Sequence, residues 1–416
     1  MHSWSRHSFV LSLFYGALFA SSIQAQQWPQ YRGPGTTGKL ASTNLELGSK
    51  KLKLHWKIPT KLGFSSFAVS NGKAVTLVAR DQQEICIALD AKTGKELWAT
   101  SLDSSPYNGG GNAGAQGNKG GDGPRSTPAI SGDKVFVYDS HLKLHCFSLN
   151  DGKAIWSQNV VDDFGGKVIK WGNATSPLID DQHVYVAGGG DGNAFLKFDQ
   201  TDGKPVWKSG IEIMTHASPT VAMIHGKRQV VYFMKSGLVA LDAKTGIELW
   251  RSPFPFDVST AASPIITDNL VYCSAGYGVG AGMYKIDASG SSKEMWRTPN
   301  RLINHWSTPV LHSGHLYGMF GFKRYGRAPL QCVEFSSGTI KWKQPGFGQG
   351  NCIVVGDKIV ALSDSGELAI VSANPEKYIE LWRQKVLHGK CWSTPAYSNG
   401  KIYIRSTSEA ACVSFE

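Results

Sequence analysis

Hydrophobic and polar positions alternate along this chain in short runs, and most runs end in a cluster of Gly, Asp, Asn or Ser. LKLHWKIP (Leu52 to Pro59) shows the pattern, with Leu52, Leu54, Trp56 and Ile58 at every second place. Period-two alternation predicts half-buried β-strands, and the punctuation predicts tight turns between antiparallel neighbours. One segment breaks the rule. Phe9 to Ala20 is a twelve-residue apolar run after Arg6, followed by the small-residue stretch Ser21 to Ala25. That is the layout of a secretory signal with cleavage after Ala25. The run is too short to cross a bilayer as a helix, which needs about 20 residues. No Cys stands at the cleavage point to take a lipid anchor, so the expected location is the periplasm or the extracellular space. The expected organisation is a signal peptide over 1–25, an extended leader over 26–50 and a β-propeller over 51–416.

The strands belong to a repeat. ALDAKTGKELW (Ala88 to Trp98) and ALDAKTGIELW (Ala240 to Trp250) differ at one position, and weaker copies end at Trp156, Trp207, Trp296, Trp342 and Trp382. Each copy reads as strand, Asx/Gly turn, strand. Upstream of most copies a Ser or Thr precedes Pro128, Pro177, Pro219, Pro264, Pro309 or Pro395. One unit therefore holds four short antiparallel strands, A to D, with the Trp on D.

Intervals between the tryptophans, starting at Trp56, are 42, 58, 51, 43, 46, 46 and 40 residues. A four-stranded propeller blade takes about 40–45 residues, so seven complete blades follow. After Trp382 only strands A to C fit, whereas Leu52 to Pro59 is a D strand with nothing before it. Joining the two closes an all-β, eight-bladed propeller through an N-terminal outer strand and leaves no open sheet edge.

The AxDxxTGxxxW string resembles the repeats of the pyrroloquinoline-quinone (PQQ) type propeller family. Its eight-bladed domains occur in quinoprotein alcohol dehydrogenases and in the outer-membrane assembly lipoprotein BamB. The resemblance covers Leu52 to Glu416, and the leader WPQYRGP (Trp28 to Pro34) is similar to a segment found before such propellers in exported proteins. In that family the motif tryptophan docks on the neighbouring blade's turn. The resemblance thus implies docking roles for Trp56, Trp98, Trp156, Trp207, Trp250, Trp296, Trp342 and Trp382.

Two insertions, Ser101 to Pro124 and Val160 to Gly172, interrupt the spacing and fall on one rim, where propellers commonly bind ligands. The residues three before the Pro, or before its aligned position, line the channel mouth on that side: Phe64, Arg125, Ala174, His216, Ala261, Trp306, Gln349 and Trp392. Trp171, Asn173, His305, Asn351 and Cys391 adjoin them. Aromatic groups with Arg, His and Asn converging on a concave mouth make a candidate ligand site. Its proposed ligand-binding residues are Arg125, Trp171, Asn173, His216, His305, Trp306, Asn351 and Trp392.

Composition narrows the function. HExxH, Gly-Lys-Ser/Thr and GxSxG are all missing from the sequence, which removes the corresponding protease, phosphate-loop and hydrolase signatures. Gly109, Gly111 and Gly114 match GxGxxG without a βαβ context. The net charge of +11 comes from lysines scattered singly in turns, the pattern of solvated turns and not of a nucleic-acid surface. Seven Cys with no CxxC read as buried free thiols, with Cys86, Cys146, Cys332 and Cys412 sharing one place in the repeat. The resemblance to quinoprotein dehydrogenases would require adjacent cysteines, an acidic calcium set and a catalytic Asp. Here no cysteines are adjacent, no mouth position is acidic, and Asp122 and Asp191 are the nearest carboxylates. The expectation is a monomeric, exported, non-catalytic propeller without cofactor or metal, binding a protein, peptide or glycan at the mouth. A PQQ- and calcium-dependent oxidoreductase is the alternative.

Overall fold

The structure is a computed structural model, and it describes Met1 and residues 26–106, 122–321 and 328–416. The expected signal segment and the glycines of the GxGxxG match lie outside these residues. Eight four-stranded antiparallel sheets follow one another around a central channel. Blades 1 to 7 run over 68–104, 129–159, 178–209, 220–253, 265–298, 310–344 and 351–385. Blade 8 takes strands A to C from 396–415 and its outer strand from Leu52–Pro59, paired antiparallel with Glu409–Phe415. The ring closes as the tryptophan spacing predicts. Strands A face the axis, and the blades bury their apolar residues against one another in stacked cores.

Each blade is tied to the next by its D-strand tryptophan. Trp98 Nε1 donates to Leu149 O at 2.9 Å, and Trp56, Trp156, Trp207, Trp296 and Trp342 reach Ala91, Gln200, Ala243, Phe335 and Asn374 in the same way. The indole lies on the turn glycine of the neighbour. A Cβ on Gly246, whose φ is +73°, would meet Trp207 at 2.7 Å. Only a residue without a side chain fits that contact. Trp250 departs from the pattern: it is buried among blade 5 residues, but its Nε1 donates to Gln229 Oε1 of its own blade at 2.7 Å. Trp382 packs edge-on against Phe415, because blade 8 has no covalent turn between strands C and D.

The Ser/Thr-Pro signature also has a physical cause. Thr127 N donates to Ser176 Oγ, Ser176 N to Ser218 Oγ, Ser263 N to Thr308 Oγ1, and Thr394 N to Ser66 Oγ, all at 2.8–3.0 Å. The hydroxyls of Ser176, Ser218 and Thr308, each just before its proline, and that of Ser66 accept amides that strand pairing leaves over, so side-chain bonds link neighbouring inner strands.

Three of the four cysteines placed together, Cys146, Cys332 and Cys412, pair across the strand with Trp156, Trp342 and Trp56. Cys86 instead pairs with Thr100, and Ala88 takes the tryptophan. Blade 1 therefore carries its cysteine two residues earlier, on the same face. All seven thiols are free and buried.

The leader closes the channel at the end remote from the insertions. Trp28 bridges Val69 of blade 1, Pro29 O accepts from Ile130 of blade 2, and the Gln30 side chain bonds Ile179 of blade 3. Lys39–Leu40 then adds a parallel strand to blade 7, and Gln26 O accepts from Ser398 and Asn399 of blade 8. Arg32, 3% exposed, donates to the carbonyls of Thr36, Thr37, Thr308 and Pro309.

Candidate binding site at the channel mouth

Loops that lead from strand D of one blade to strand A of the next meet at the open end. They bring two clusters together. The first is an aromatic stack outside the blade cores: Trp392 of blade 8 lies 4.5 Å from Trp306 of blade 6 at 19°, and 5.1 Å from Phe64 of blade 1 at 27°. Near-parallel rings at these distances attract beyond their burial. The Lys390 ammonium lies 4.5 Å from the Trp392 ring, and burial lowers its pKa. Asn351 holds the stack from below, its Nδ2 donating to Trp392 O at 2.7 Å.

The second cluster grips the insertion between blades 2 and 3. That insertion begins as a short helix, Val160–Phe164, capped by the Asn159 side chain, with Phe164 buried against Phe198. Three successive carbonyls end it. Those of Lys170 and Gly172 accept from His216 Nε2 at 3.1 Å, and that of Trp171 accepts from Arg125 at 2.9 Å. Between them Trp171 is held at φ +72°, a conformation that costs a bulky residue about 1–3 kcal/mol. His216 Nδ1 accepts from Ser259 Oγ at 2.7 Å, so the ring is a neutral Nε2–H tautomer with both nitrogens engaged. Burial first, and the Arg125 charge second, push its pKa down to about 4.

The other sequence candidates sort by contact. Asn173 is buried, donating to Tyr138, Asp139 and Thr175 carbonyls while its Oδ1 accepts from Thr175, so it shapes the loop. His305 is buried against Tyr277 and Trp306, its carbonyl accepting from Ala261. Arg125 links the clusters, its guanidinium carbon 6.0 Å from the Phe64 ring centroid.

Sequence reasoning missed Glu84. It enters at the top of strand C in blade 1, fully buried beside Arg125 and Asp139, with Oε2 accepting from Ser140 N at 3.2 Å. Its Oε1 has no hydrogen-bond partner. Burial, reinforced by the Asp139 charge, raises its pKa to about 8. The repeat gives no signal for it, because the corresponding positions elsewhere are apolar or small.

These groups do not fit a calcium-held quinone. Calcium takes six to eight oxygen ligands, several of them carboxylates. At the mouth Arg125 and Lys390 stand with three buried carboxylates that the fold already engages: Glu84 accepts from Ser140 N, Asp364 from Gln349 N, and Asp139 pairs with His145. Among the described residues no three His, Cys, Asp or Glu are grouped to hold a metal ion.

A family model described as outer membrane protein assembly factor BamB matches residues 81–344. The chain belongs to that family. BamB from Moraxella catarrhalis has a similar structure, with 15% identity, a TM-score of 0.61, and 88% of this chain and 98% of that one covered. The quinohemoprotein alcohol dehydrogenase from Comamonas testosteroni is similar at 13% identity and a TM-score of 0.64, covering 93% of this chain and 80% of that one. These likenesses extend to the fold. No curated protein matches the chain.

Proposed function

We propose that this BamB-family propeller is an exported, non-catalytic scaffold that receives part of a partner protein at its channel mouth. One observation carries the reading: the mouth presents aromatic and cationic surface on loops locked in place, while its titratable groups are committed to the fold. Both nitrogens of His216 are engaged, and Glu84 is sealed from solvent. Apolar and aromatic side chains stay exposed on that face, among them Val168, Ile211, Ile213 and Tyr277, beside the exposed Lys167 and Lys170. Partly buried aromatics and Arg beside apolar neighbours are the composition of protein-binding hot spots. Export follows from the sequence signal and agrees with the family's description. Among the described residues no helix is long and apolar enough to cross a membrane.

The test compares wild-type protein with Trp306→Ala and Ile213→Asp as bait for cross-linked envelope proteins. A partner retained by the wild type and lost by both variants supports the reading. Saturable binding of PQQ with calcium, together with dye-linked alcohol oxidation, would replace it with a quinoprotein oxidoreductase.

A further inference from the structure

Blade 8 is where the ring lacks a covalent turn between strands C and D. In blades 1 and 4 that turn is closed by a carboxylate two residues after the partner of the docking tryptophan. Asp90 and Asp242 each accept from two turn amides there. In blade 8 the same register gives Ser414, opposite Lys53 of strand D. This uncovered end keeps a groove of about 410 Å³, whose walls include Leu45 and Glu46 of the leader, Lys53 and His55 of strand D, and Lys401 of strand B.

Its cations lack the acids that other blades supply. The lysine leading strand B of blades 2 and 7 follows an aspartate and pairs with it, Lys134 with Asp133 at 3.6 Å and Lys358 with Asp357 at 2.7 Å. Lys401 follows Gly400, and among the described residues neither it nor Lys53 enters an ion pair. The carboxylate side chains of the groove act on other groups. Glu416 pairs with Lys51 at 3.5 Å, while burial first, and the Glu46 charge second, raise the pKa of Tyr397. His55 stands where Leu97, Ile155 and Val206 precede their tryptophans, and its Nε2 bonds Ser414 Oγ at 2.9 Å. Burial, then the charges of Lys401 and Lys53, lower the His55 pKa, so a neutral imidazole sits beside two ammonium groups.

We infer that this groove at the closing seam of the ring binds a phosphate group, with Lys53, Lys401 and His55 as its donors. The donor set favours phosphate over carboxylate. A planar carboxylate is best met by the arginine fork, and no arginine lines the groove. Ammonium groups act as point charges and suit the tetrahedral oxygens of a phosphate, which accept from several sides. A bound anion also favours the protonated imidazole, so His55 would gain a proton as the phosphate arrives. The groove lies on the leader's side of the ring, and the inference is independent of the partner site at the mouth. A soluble phosphate ester and a phospholipid headgroup carry the same recognised chemistry.

The test follows the His55 imidazole by NMR in protein labelled at histidine, the resonance being assigned by its loss in His55→Gln. Inorganic phosphate is titrated as the probe, with chloride and acetate as controls at equal ionic strength. The site predicts a saturable shift with phosphate and a higher His55 pKa in its presence. Lys53→Met and Lys401→Met should each weaken the apparent affinity about tenfold while leaving the melting temperature unchanged. No saturable shift overturns the site, as does an equal response to chloride, which would be screening alone. Tighter binding of acetate overturns the phosphate assignment, and full affinity in both lysine variants overturns the donor set. Glycerol phosphate and vesicles of phosphatidylglycerol then separate the two sources. Saturation by the soluble ester identifies a dissolved ligand, whereas sedimentation with the vesicles, lost in Lys53→Met, identifies a headgroup.

Discussion

Arg32 in the leader donates from Nη1 to the carbonyl of Thr308 at 2.8 Å, across 276 residues of sequence. The same guanidinium holds Pro309, Thr36 and Thr37, so one buried cation fastens the leader to blade 6 with main-chain oxygens alone. Arg32→Met strands four carbonyls, each worth about 1–3 kcal/mol when buried and unpaired, against some relief from removing a buried charge. A net loss of about 3–5 kcal/mol is expected from denaturant unfolding at pH 7. An unchanged midpoint would mean the plug contributes nothing to the ring.

Two glycines separate backbone strain from contact. Gly72 and Gly246 both have φ near +74°, but a Cβ on Gly72 meets nothing within 4 Å, while one on Gly246 meets Trp207 at 2.7 Å. Gly72→Ala should cost about 1–2 kcal/mol, the price of the left-handed conformation. Gly246→Ala adds overpacking of about 1–3 kcal/mol. Similar melting temperatures for the two variants would contradict the docking of Trp207.

Acid should act on His216 and alkali on Glu84. The His216 pKa is about 4 in the fold and about 6.5 unfolded, so between these values the unfolded chain binds the extra proton and stability falls as pH falls. The Glu84 pKa is about 8 in the fold and about 4.5 unfolded, so the fold holds the extra proton and stability falls as pH rises from 4.5 to 8. Glu84→Gln should therefore gain stability relative to wild type as pH climbs from 5 to 8, by roughly 3 kcal/mol in all. His216→Gln should flatten the acid limb. Parallel pH profiles for wild type and variants would rule both assignments out.

The seven buried thiols should be silent in the fold. Burial raises the Cys352 and Cys391 pKa values to about 12, leaving almost no thiolate at pH 8. Iodoacetamide is expected to label none in native protein and all seven after denaturation without reductant. Fewer than seven in the denatured sample would reveal a disulfide.

The ring was legible because its cause is repeated: a tryptophan and a turn glycine recur at near-regular spacing, and most inner strands carry a hydroxyl before proline. Trp250 broke rank for a local reason, since Gln229 offers its indole a side-chain oxygen within its own blade. The mouth was readable as a set of residues but not as a mechanism of assembly. His216 and Arg125 gather carbonyls from a loop some 45 positions away, and no periodicity encodes such contacts. Glu84 escaped notice because a single buried acid in a strand looks like any surface position until the neighbouring blade covers it. The leader's course was equally hidden, since its hydrogen bonds reach six blades and its motif repeats nowhere.

That course has a consequence for biosynthesis. Residues 26–59 leave the ribosome long before several of their partners, among them Thr308, Ser398 and Glu416. At roughly 5–20 residues per second, Arg32 waits about a quarter of a minute to a minute for Thr308. Through that interval the outer strand Leu52–Pro59 has no sheet to join, and the growing arc of blades presents a raw edge to whatever is nearby. A chaperone that shields this opening strand would be needed by the nascent chain and dispensable to the finished one.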